Sequence, residues 1–119
     1  PVPFEKLSEQ AKGEPSSAIR ERVIRARQIQ AKRFAHDAGI HCNAQMSSRL
    51  LHQYALPDEK GLTLLRNAME RFHLSARAYD RILKVSRTIA DLEDSAQIQS
   101  HHLAEAISYR NLDRENWAG

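Results

Sequence analysis

The 119-residue sequence contains few of the residues that disulfide-rich, β-rich or membrane-spanning proteins need. Its single cysteine, Cys42, excludes an intrachain disulfide and suits a reducing compartment. Four glycines, four prolines and 6% aromatic residues are few for a turn-rich β-sandwich and favour helices. No apolar run approaches the roughly 20 residues of a membrane-spanning helix, and no charged-then-apolar leader opens the chain. We therefore expect a cytoplasmic protein with no membrane partner, and the opening PVPFEKL suggests a piece of a longer polypeptide.

Apolar residues (41%) and charged residues (28%) occur at ordinary globular frequencies, so one folded domain is expected. The net charge of +3 is small, but positive charge is concentrated between Ile19 and Arg33, where Glu21 is the one acid. The basic residues of that segment are Arg20, Arg22, Arg25, Arg27, Lys32 and Arg33. Such a stripe suits nucleic acid, nucleotide phosphates or an acidic protein surface, and composition alone equally permits a solvated helix face.

Apolar residues recur with helical spacing along most of the chain and predict an all-α fold, a compact bundle of four to five helices. The expected helix starts are the capping residues Ser16–Ser17, Asn43, Ser75 and Ser100, and the pair Pro57–Asp58 for the third helix. The first helix should end near Asp37 and the last near Arg110. We divide the chain into a linker (1–15), a helical domain (16–112) and a frayed tail (113–119).

The fourth predicted helix has the clearest division into faces. Its apolar face comprises Ala78, Tyr79, Ile82, Val85, Ser86, Ile89 and Leu92. Charged residues lie opposite, where the pairs Asp80–Lys84 and Arg87–Asp91 have the four-residue spacing of helix ion pairs. We expect this charged face to be exposed to solvent.

Motifs for autonomous chemistry are missing from the sequence. It has no GxxxxGK[ST] loop to cradle a triphosphate, no acidic strand end for magnesium and no nucleophile paired with a base. His102 and Glu105 stand three apart on the last helix, next to His101, but a closed metal site needs further ligands. The His41–Cys42 pair is a weaker candidate. We predict no metal site, no bound cofactor and no enzymatic activity for this chain alone.

Arg77 occupies an unusual position for a cation, two residues after the Ser75 cap in the first turn of the fourth helix. The helix macrodipole disfavours positive charge there by a few tenths to about 1 kcal/mol. One explanation is an anion that shares the helix N-terminus, where backbone N–H groups favour phosphate. The other is an exposed arginine whose long side chain turns away at little cost. The residues alone leave both open.

Three stretches of the sequence carry a family signature. They are GEPSSAIRERVIRARQIQAKRF, NAQM and LSARAYDRILKVSRTIADLEDSAQIQSHHLAEAISYRNLDR. Together they resemble the magnesium-chelatase-like YifB/ComM family of AAA+ ATPases, from about Gly13 to Arg114. The resemblance implies the C-terminal helical (lid) domain of such an ATPase, whose core would precede the linker. The sequence departs from the family at Ser86, where alanine is expected, and at Phe72–His73, where leucine-glycine is common.

The resemblance also implies a function. The parent protein would be a hexameric bacterial ATPase that uses ATP and Mg²⁺, with its own AAA+ core and the neighbouring subunits as partners of this domain. Arg77, the arginine of the LSAR motif, would be the sensor-2 residue that contacts the γ-phosphate of ATP at a subunit interface. In the ComM branch the motor acts on DNA, in branch migration during natural transformation. The chain by itself would be a monomer.

The basic face of the first helix has three open uses. Arg20, Arg22, Arg25 and Arg27 could line an interface with a neighbouring core, supply phosphate-facing arginines or contact DNA. DNA contact ranks third because no aromatic stacking residues are interleaved. A rival interpretation is a stand-alone helical nucleic-acid- or protein-binding module that uses this same face. A GxxxxGK[ST] loop encoded upstream in the full gene would favour the ATPase lid domain over the stand-alone module.

Overall fold

The computed structural model describes residues 15–118, with side chains described for 15–109. Within this range five α-helices and a short 3₁₀ turn follow one another, with no strand. They are α1 (Ser16–Arg33), the 3₁₀ turn (Asn43–Gln45), α2 (Ser48–Tyr54), α3 (Glu59–Phe72), α4 (Ala76–Leu92) and α5 (Ser100–Ala118). The predicted all-α bundle is confirmed. Residues 1–14 of the predicted linker, and Gly119, lie outside the described residues.

Ser75 caps α4 as predicted, and Asp58, from the pair predicted to open the third helix, caps α3. Asp58 at α3 and Ser75 at α4 each accept the backbone N–H three residues further on, at 2.7 and 3.2 Å. Asn43 as a cap is wrong. The cap of α2 is Ser47, because Asn43 is buried at the start of the 3₁₀ turn and its side chain has other partners.

The first helix begins and ends differently from the prediction. Ser16 is its first residue and not its cap, and no side chain caps the first N–H groups. The helix ends at Arg33 rather than near Asp37, because the chain turns at Phe34 and places that ring in the core. The Phe34 ring packs edge-on against Tyr54, with centroids 5.7 Å apart.

Helix α4 is the central element of the bundle and contacts α1, α2, α5 and the 3₁₀ turn, while α3 packs on α5. The largest fully buried apolar side chains are Leu51, Leu65, Ile82 and Leu103, from four different helices. Each such side chain stabilises the fold by about 1.5–3 kcal/mol relative to exposure. No helix in the described part of the chain is long and apolar enough to cross a membrane.

The face of α4 predicted to meet solvent is partly buried. Arg87 and Asp91 are only 4% and 1% exposed, whereas Val85, predicted on the apolar face, is 40% exposed. The predicted faces are therefore wrong for these three residues. The cause is that α1 and the 3₁₀ turn pack against α4 there and supply polar partners for Asp91. Arg87 donates to Asp91 and to backbone carbonyl oxygens of the segments beside it.

One of the two predicted ion pairs on α4 forms. Arg87 Nη2 lies 3.1 Å from Asp91 Oδ1. Among the described side chains, Lys84 has no ion pair with Asp80. Asp80 Oδ2 instead accepts a hydrogen bond from the Ser48 hydroxyl at 3.1 Å, which ties α4 to the start of α2.

Helix α5 continues to Ala118, past the predicted end near Arg110. The sequence has no glycine or proline between Ser100 and Ala118, so nothing stops the helix where the apolar spacing ends. Ser100 is the first residue of α5 rather than its cap. At this end, His102 Nδ1 accepts the backbone N–H of Gln99 at 2.9 Å.

Gly61 lies in α3 against the side chain of Leu103 in α5. A Cβ at this position would be 2.8 Å from Leu103 Cδ1 and 2.9 Å from Pro57 Cβ. Gly61→Ala should lower the free energy of unfolding by roughly 1–3 kcal/mol, the range for overpacking, although alanine is the better helix former. Thr63→Ala, at an exposed position of the same helix, should not destabilise. Urea denaturation of both variants checks this, and equal effects would contradict the close contact.

Candidate functional site

Arg77 is the second residue of α4 and its side chain is exposed. The first turn of the helix contains no acidic residue. Among the described residues, no acid lies within ion-pair distance of its guanidinium. The predicted position in the first turn is thus confirmed, and the cation there has no charge partner within residues 15–109.

The N-terminal turn of α4 also offers backbone donors beside this side chain. Ser75 Oγ accepts the N–H of Ala78, and the Ser75 carbonyl accepts that of Tyr79 at 3.0 Å. The N–H groups of Ala76 and Arg77 have no carbonyl partner within the helix, because the carbonyl four residues earlier lies before its start. A phosphate at this end would meet those two donors, the positive end of the dipole and the guanidinium together.

At Arg25, the basic stripe of α1 contacts α4 at the end opposite Arg77. Its predicted contact residues are Arg20, Arg22, Arg25 and Arg27, all exposed except the half-buried Arg22. Arg25 Nη2 donates to the carbonyl oxygen of Leu92 at 3.4 Å. Leu92 ends α4, so about 22 Å of helix axis, at 1.5 Å per residue, separates it from Arg77. The structure therefore places Arg25 and Arg77 at opposite ends of the central helix.

A buried polar cluster lies where α1, the 3₁₀ turn and α4 meet, around the carboxylate of Asp91. Arg33 binds this carboxylate through both Nη atoms, at 2.7 and 2.8 Å. Asn43 Nδ2 donates to it at 2.9 Å and Arg87 Nε at 3.2 Å. The backbone N–H of Asn43 donates to Gln30 Oε1 at 3.1 Å. We name these five residues the Asp91 cluster, which joins three separate segments of the chain.

The Asp91 cluster holds two guanidinium groups on one carboxylate, so it carries a net positive charge. Burial lowers the pKa of Arg87, Asp91 raises it and the neighbouring Arg33 lowers it again. The group stays charged because a guanidinium does not lose its proton in proteins. Its other donors reach backbone carbonyls at 2.6–3.5 Å, those of Tyr54, Ser95 and Ala96. These carbonyl oxygens supply the partial negative charge that a second carboxylate would otherwise provide.

Sequence reasoning missed this cluster. It assigned Asn43 to a cap, Arg33 to the basic stripe, and Arg87 and Asp91 to solvent. The available signal was the four-residue spacing of Arg87 and Asp91, with the other members inside the stretches that carry the family signature. We interpret the Asp91 cluster as the joint that fixes α1 against α4.

His102 and Glu105, whose spacing alone is insufficient for a metal site, have different partners. Glu105 accepts a hydrogen bond from the Tyr109 hydroxyl at 3.3 Å. His101 and His102 instead converge on Glu93, with His101 Nε2 2.9 Å from Glu93 Oε1. This hydrogen bond lowers the pKa of the Glu93 carboxyl. Sequence spacing could not find Glu93, because it lies before the turn that joins α4 to α5.

Comparison with known proteins places this helical domain in a family. The family model described as magnesium chelatase, subunit ChlI C-terminal, matches residues 13–110. Competence protein ComM of Haemophilus influenzae is 44% identical over 103 residues, which are 87% of this chain and 19% of that protein. YifB of Salmonella typhimurium is 39% identical over 109 residues, 91% of this chain and 21% of that protein.

A third relative, YifB of Escherichia coli, is 38% identical over 102 residues, which are 86% of this chain and 19% of that protein. The chain therefore spans about a fifth of the length of the curated relatives it matches. The match covers α1 to α4 and the first half of α5, including Arg77 and the whole Asp91 cluster. The chain belongs to the magnesium chelatase subunit ChlI C-terminal family, as a domain of the ComM and YifB type.

Proposed function

We propose that this chain is the C-terminal lid domain of a bacterial, cytoplasmic AAA+ ATPase and that Arg77 is its sensor-2 arginine. The observation that carries the proposal is the exposed Arg77 side chain beside the free N–H groups at the start of α4. In the parent protein this end of the helix would face the γ-phosphate of ATP bound to the AAA+ core.

Arginine suits this role for a physical reason. Its planar fork binds two phosphate oxygens at once and keeps its charge at any cellular pH. Negative charge spreads over the transferred phosphoryl oxygens in the transition state, so a fixed cation at this place lowers the barrier. The Mg²⁺ that accompanies ATP shares this neutralisation and would be held by the core. Arg77 belongs to α4, the central helix of the bundle, so its contact with the phosphate would couple the position of the lid to the bound nucleotide.

The proposal includes the assembly and its substrate. The parent would be a hexamer in which the lid contacts its own core and the neighbouring subunit, and the motor would act on DNA in branch migration. The name of the Haemophilus influenzae relative, competence protein, supports a role in natural transformation. We propose that the chain alone is a monomer with no enzymatic activity and no bound cofactor.

The test is ATP hydrolysis by the full-length parent carrying Arg77→Ala, with Arg81→Ala as the matched control. Arg81 is an exposed arginine one turn further along α4. The control removes the same charge from the same helix, but away from its N-terminus. Loss of hydrolysis confined to Arg77→Ala supports the sensor role, and equal rates in the two variants contradict it.

A second candidate function is a nucleic-acid- or protein-binding module that uses the basic face of α1. The observation that favours it is the exposure of Arg20, Arg27 and Lys32 on one helix with a single acid, Glu21. Exposed cations on a helix release counterions from a phosphate backbone when they bind it, which gives sequence-independent affinity. This function does not require Arg77.

Binding of a fluorescent DNA duplex by the chain at several salt concentrations tests the second candidate. The double variant Arg20→Gln, Arg27→Gln should bind DNA more weakly. The slope of log K against log salt should fall by about 2, because each lost phosphate contact contributes about 0.9. Arg66→Gln with Arg81→Gln removes the same charge from exposed positions of α3 and α4. Equal losses in the two double variants would contradict binding by α1.

A further inference from the structure

Glu93, His101 and His102 bring three metal-binding side chains together at the turn between α4 and α5. Their ligand atoms all lie within 4.8 Å of one another. Glu93 follows the last residue of α4, and both histidines belong to the first turn of α5. Two imidazoles and one carboxylate form a donor set that Zn²⁺ uses in three-ligand protein sites.

The separations within this trio suit a single ion. His101 Nε2 is 2.9 Å from Glu93 Oε1, and His102 Nε2 is 3.2 Å from Glu93 Oε2. Ligand atoms of a tetrahedral zinc site stand about 3.3 Å apart when the metal bonds are ~2.0–2.1 Å. Small side-chain movements would therefore place both nitrogens and one carboxylate oxygen around a common centre.

His102 Nε2 is the second observation that points to a ligand. The residue is 0% exposed, and this nitrogen has no hydrogen-bond partner among the described residues. It lies within ion-pair distance of Glu93 Oε2 but is not aligned for a hydrogen bond. Buried polar atoms nearly always have a partner. A cation bound between the two side chains would provide one.

We propose that Glu93, His101 and His102 bind a divalent cation of intermediate softness, with Zn²⁺ as the best fit and a fourth position open to water. The ion would fasten the end of α4 to the start of α5. The sequence alone predicts no metal site, and the spacing it offers, His102 with Glu105, lacks the carboxylate of Glu93. The proposed site stands apart from Arg77, which lies at the other end of α4.

Binding requires a rearrangement of one proton on His102. A neutral imidazole carries one N–H, and His102 Nδ1 accepts the N–H of Gln99 at 2.9 Å, so without the ion the proton is on Nε2. Coordination through Nε2 moves this proton to Nδ1 by exchange with water, with no net change in charge. The Gln99 N–H then loses its acceptor and faces the new Nδ1 proton, so the backbone at the start of α5 must shift until both donors reach water. Ion binding and the Gln99 hydrogen bond are therefore mutually exclusive.

The experiment titrates Zn²⁺ alone into the 119-residue chain in competition with a chromophoric chelator. Cys42→Ser is present throughout to remove a competing thiolate. His101→Ala removes an exposed ligand. His102→Gln removes the buried ligand but keeps a side-chain acceptor for the Gln99 N–H, as glutamine does at this position of a capping box. His52→Ala, at an exposed position of α2, is the control, and circular dichroism confirms the fold of each variant.

The expected result is one Zn²⁺ per chain, with unchanged Zn²⁺ affinity in the control. Both ligand variants should lose more than about 100-fold in Zn²⁺ affinity, which exceeds the cost of losing an outer-shell partner. Nitrogen NMR should show His102 with a proton on Nδ1 and the metal on Nε2 at saturation. The proposal is overturned if the unaltered site binds Zn²⁺ no more tightly than either ligand variant. It is also overturned if His102 keeps its Nε2 proton when the chain is saturated.

Discussion

Replacing Asp91 with alanine should lower the free energy of unfolding by about 3–5 kcal/mol, the cost of leaving buried charges without their partner. Asp91 is 1% exposed and takes four hydrogen bonds, three of them from the guanidinium groups of Arg33 and Arg87. Without the carboxylate, two cations would face each other at the joint of α1 and α4. A domain of this size has about 5–15 kcal/mol of stability in total, so the variant should lose a large part of its stability and unfold at a clearly lower denaturant concentration.

Chemical denaturation of Asp91→Ala beside Asp80→Ala measures this effect. Asp80 lies on the same helix and makes one hydrogen bond, to Ser48, so its loss should cost roughly 1 kcal/mol. Asp91→Asn keeps the shape but removes the charge, and should fall between the two alanine variants. If both alanine substitutions cost the same, the Asp91 cluster does not hold α1 against α4 as described.

Replacing Arg77 with alanine in the full-length parent should lower the rate of ATP hydrolysis by roughly 10²-fold or more, the scale for removing one preorganised donor to a transition state. Arg77→Lys should recover part of the rate, because lysine keeps the charge but lacks the planar fork. Stopped reactions with labelled ATP at saturating concentration measure both variants against the unaltered enzyme.

The stability of the same variant should move in the opposite direction. Arg77 is a cation in the first turn of α4, where the dipole disfavours it. In the isolated chain Arg77→Ala should therefore leave the free energy of unfolding unchanged or raise it by a few tenths of a kcal/mol. Such a variant is folded and yet inactive, which separates nucleotide sensing from a structural role. A clear loss of stability would instead assign Arg77 to the fold.

Local chemistry made much of this fold predictable. Asp58 and Ser75 cap α3 and α4 because each side chain bonds an N–H only three residues away. Once Ser75 is identified as the cap, the place of Arg77 in the first turn of α4 follows from its position two residues later. Caps and apolar periodicity depend on neighbours within one or two turns, and the sequence displays those directly.

The Asp91 cluster could not be predicted in the same way. Arg33 and Asp91 are 58 positions apart, and Asn43 and Asp91 are 48 apart. Helical spacing identified the Arg87–Asp91 pair but placed it in solvent, because nothing within α4 shows that α1 and the 3₁₀ turn cover this face. For the same reason the sequence offered only Glu105 at helical spacing from His102, and the structure brings Glu93 there across a turn.

The most direct measurement of the central claim is ATP hydrolysis by the assembled full-length protein, with and without branched DNA, for Arg77→Ala and Arg81→Ala. Nucleotide affinity and hexamer assembly are recorded for both variants. The account predicts that Arg77→Ala assembles but hydrolyses ATP at a small fraction of the unaltered rate, while Arg81→Ala remains active. Unchanged hydrolysis by Arg77→Ala would contradict the sensor assignment and direct attention to the basic face of α1.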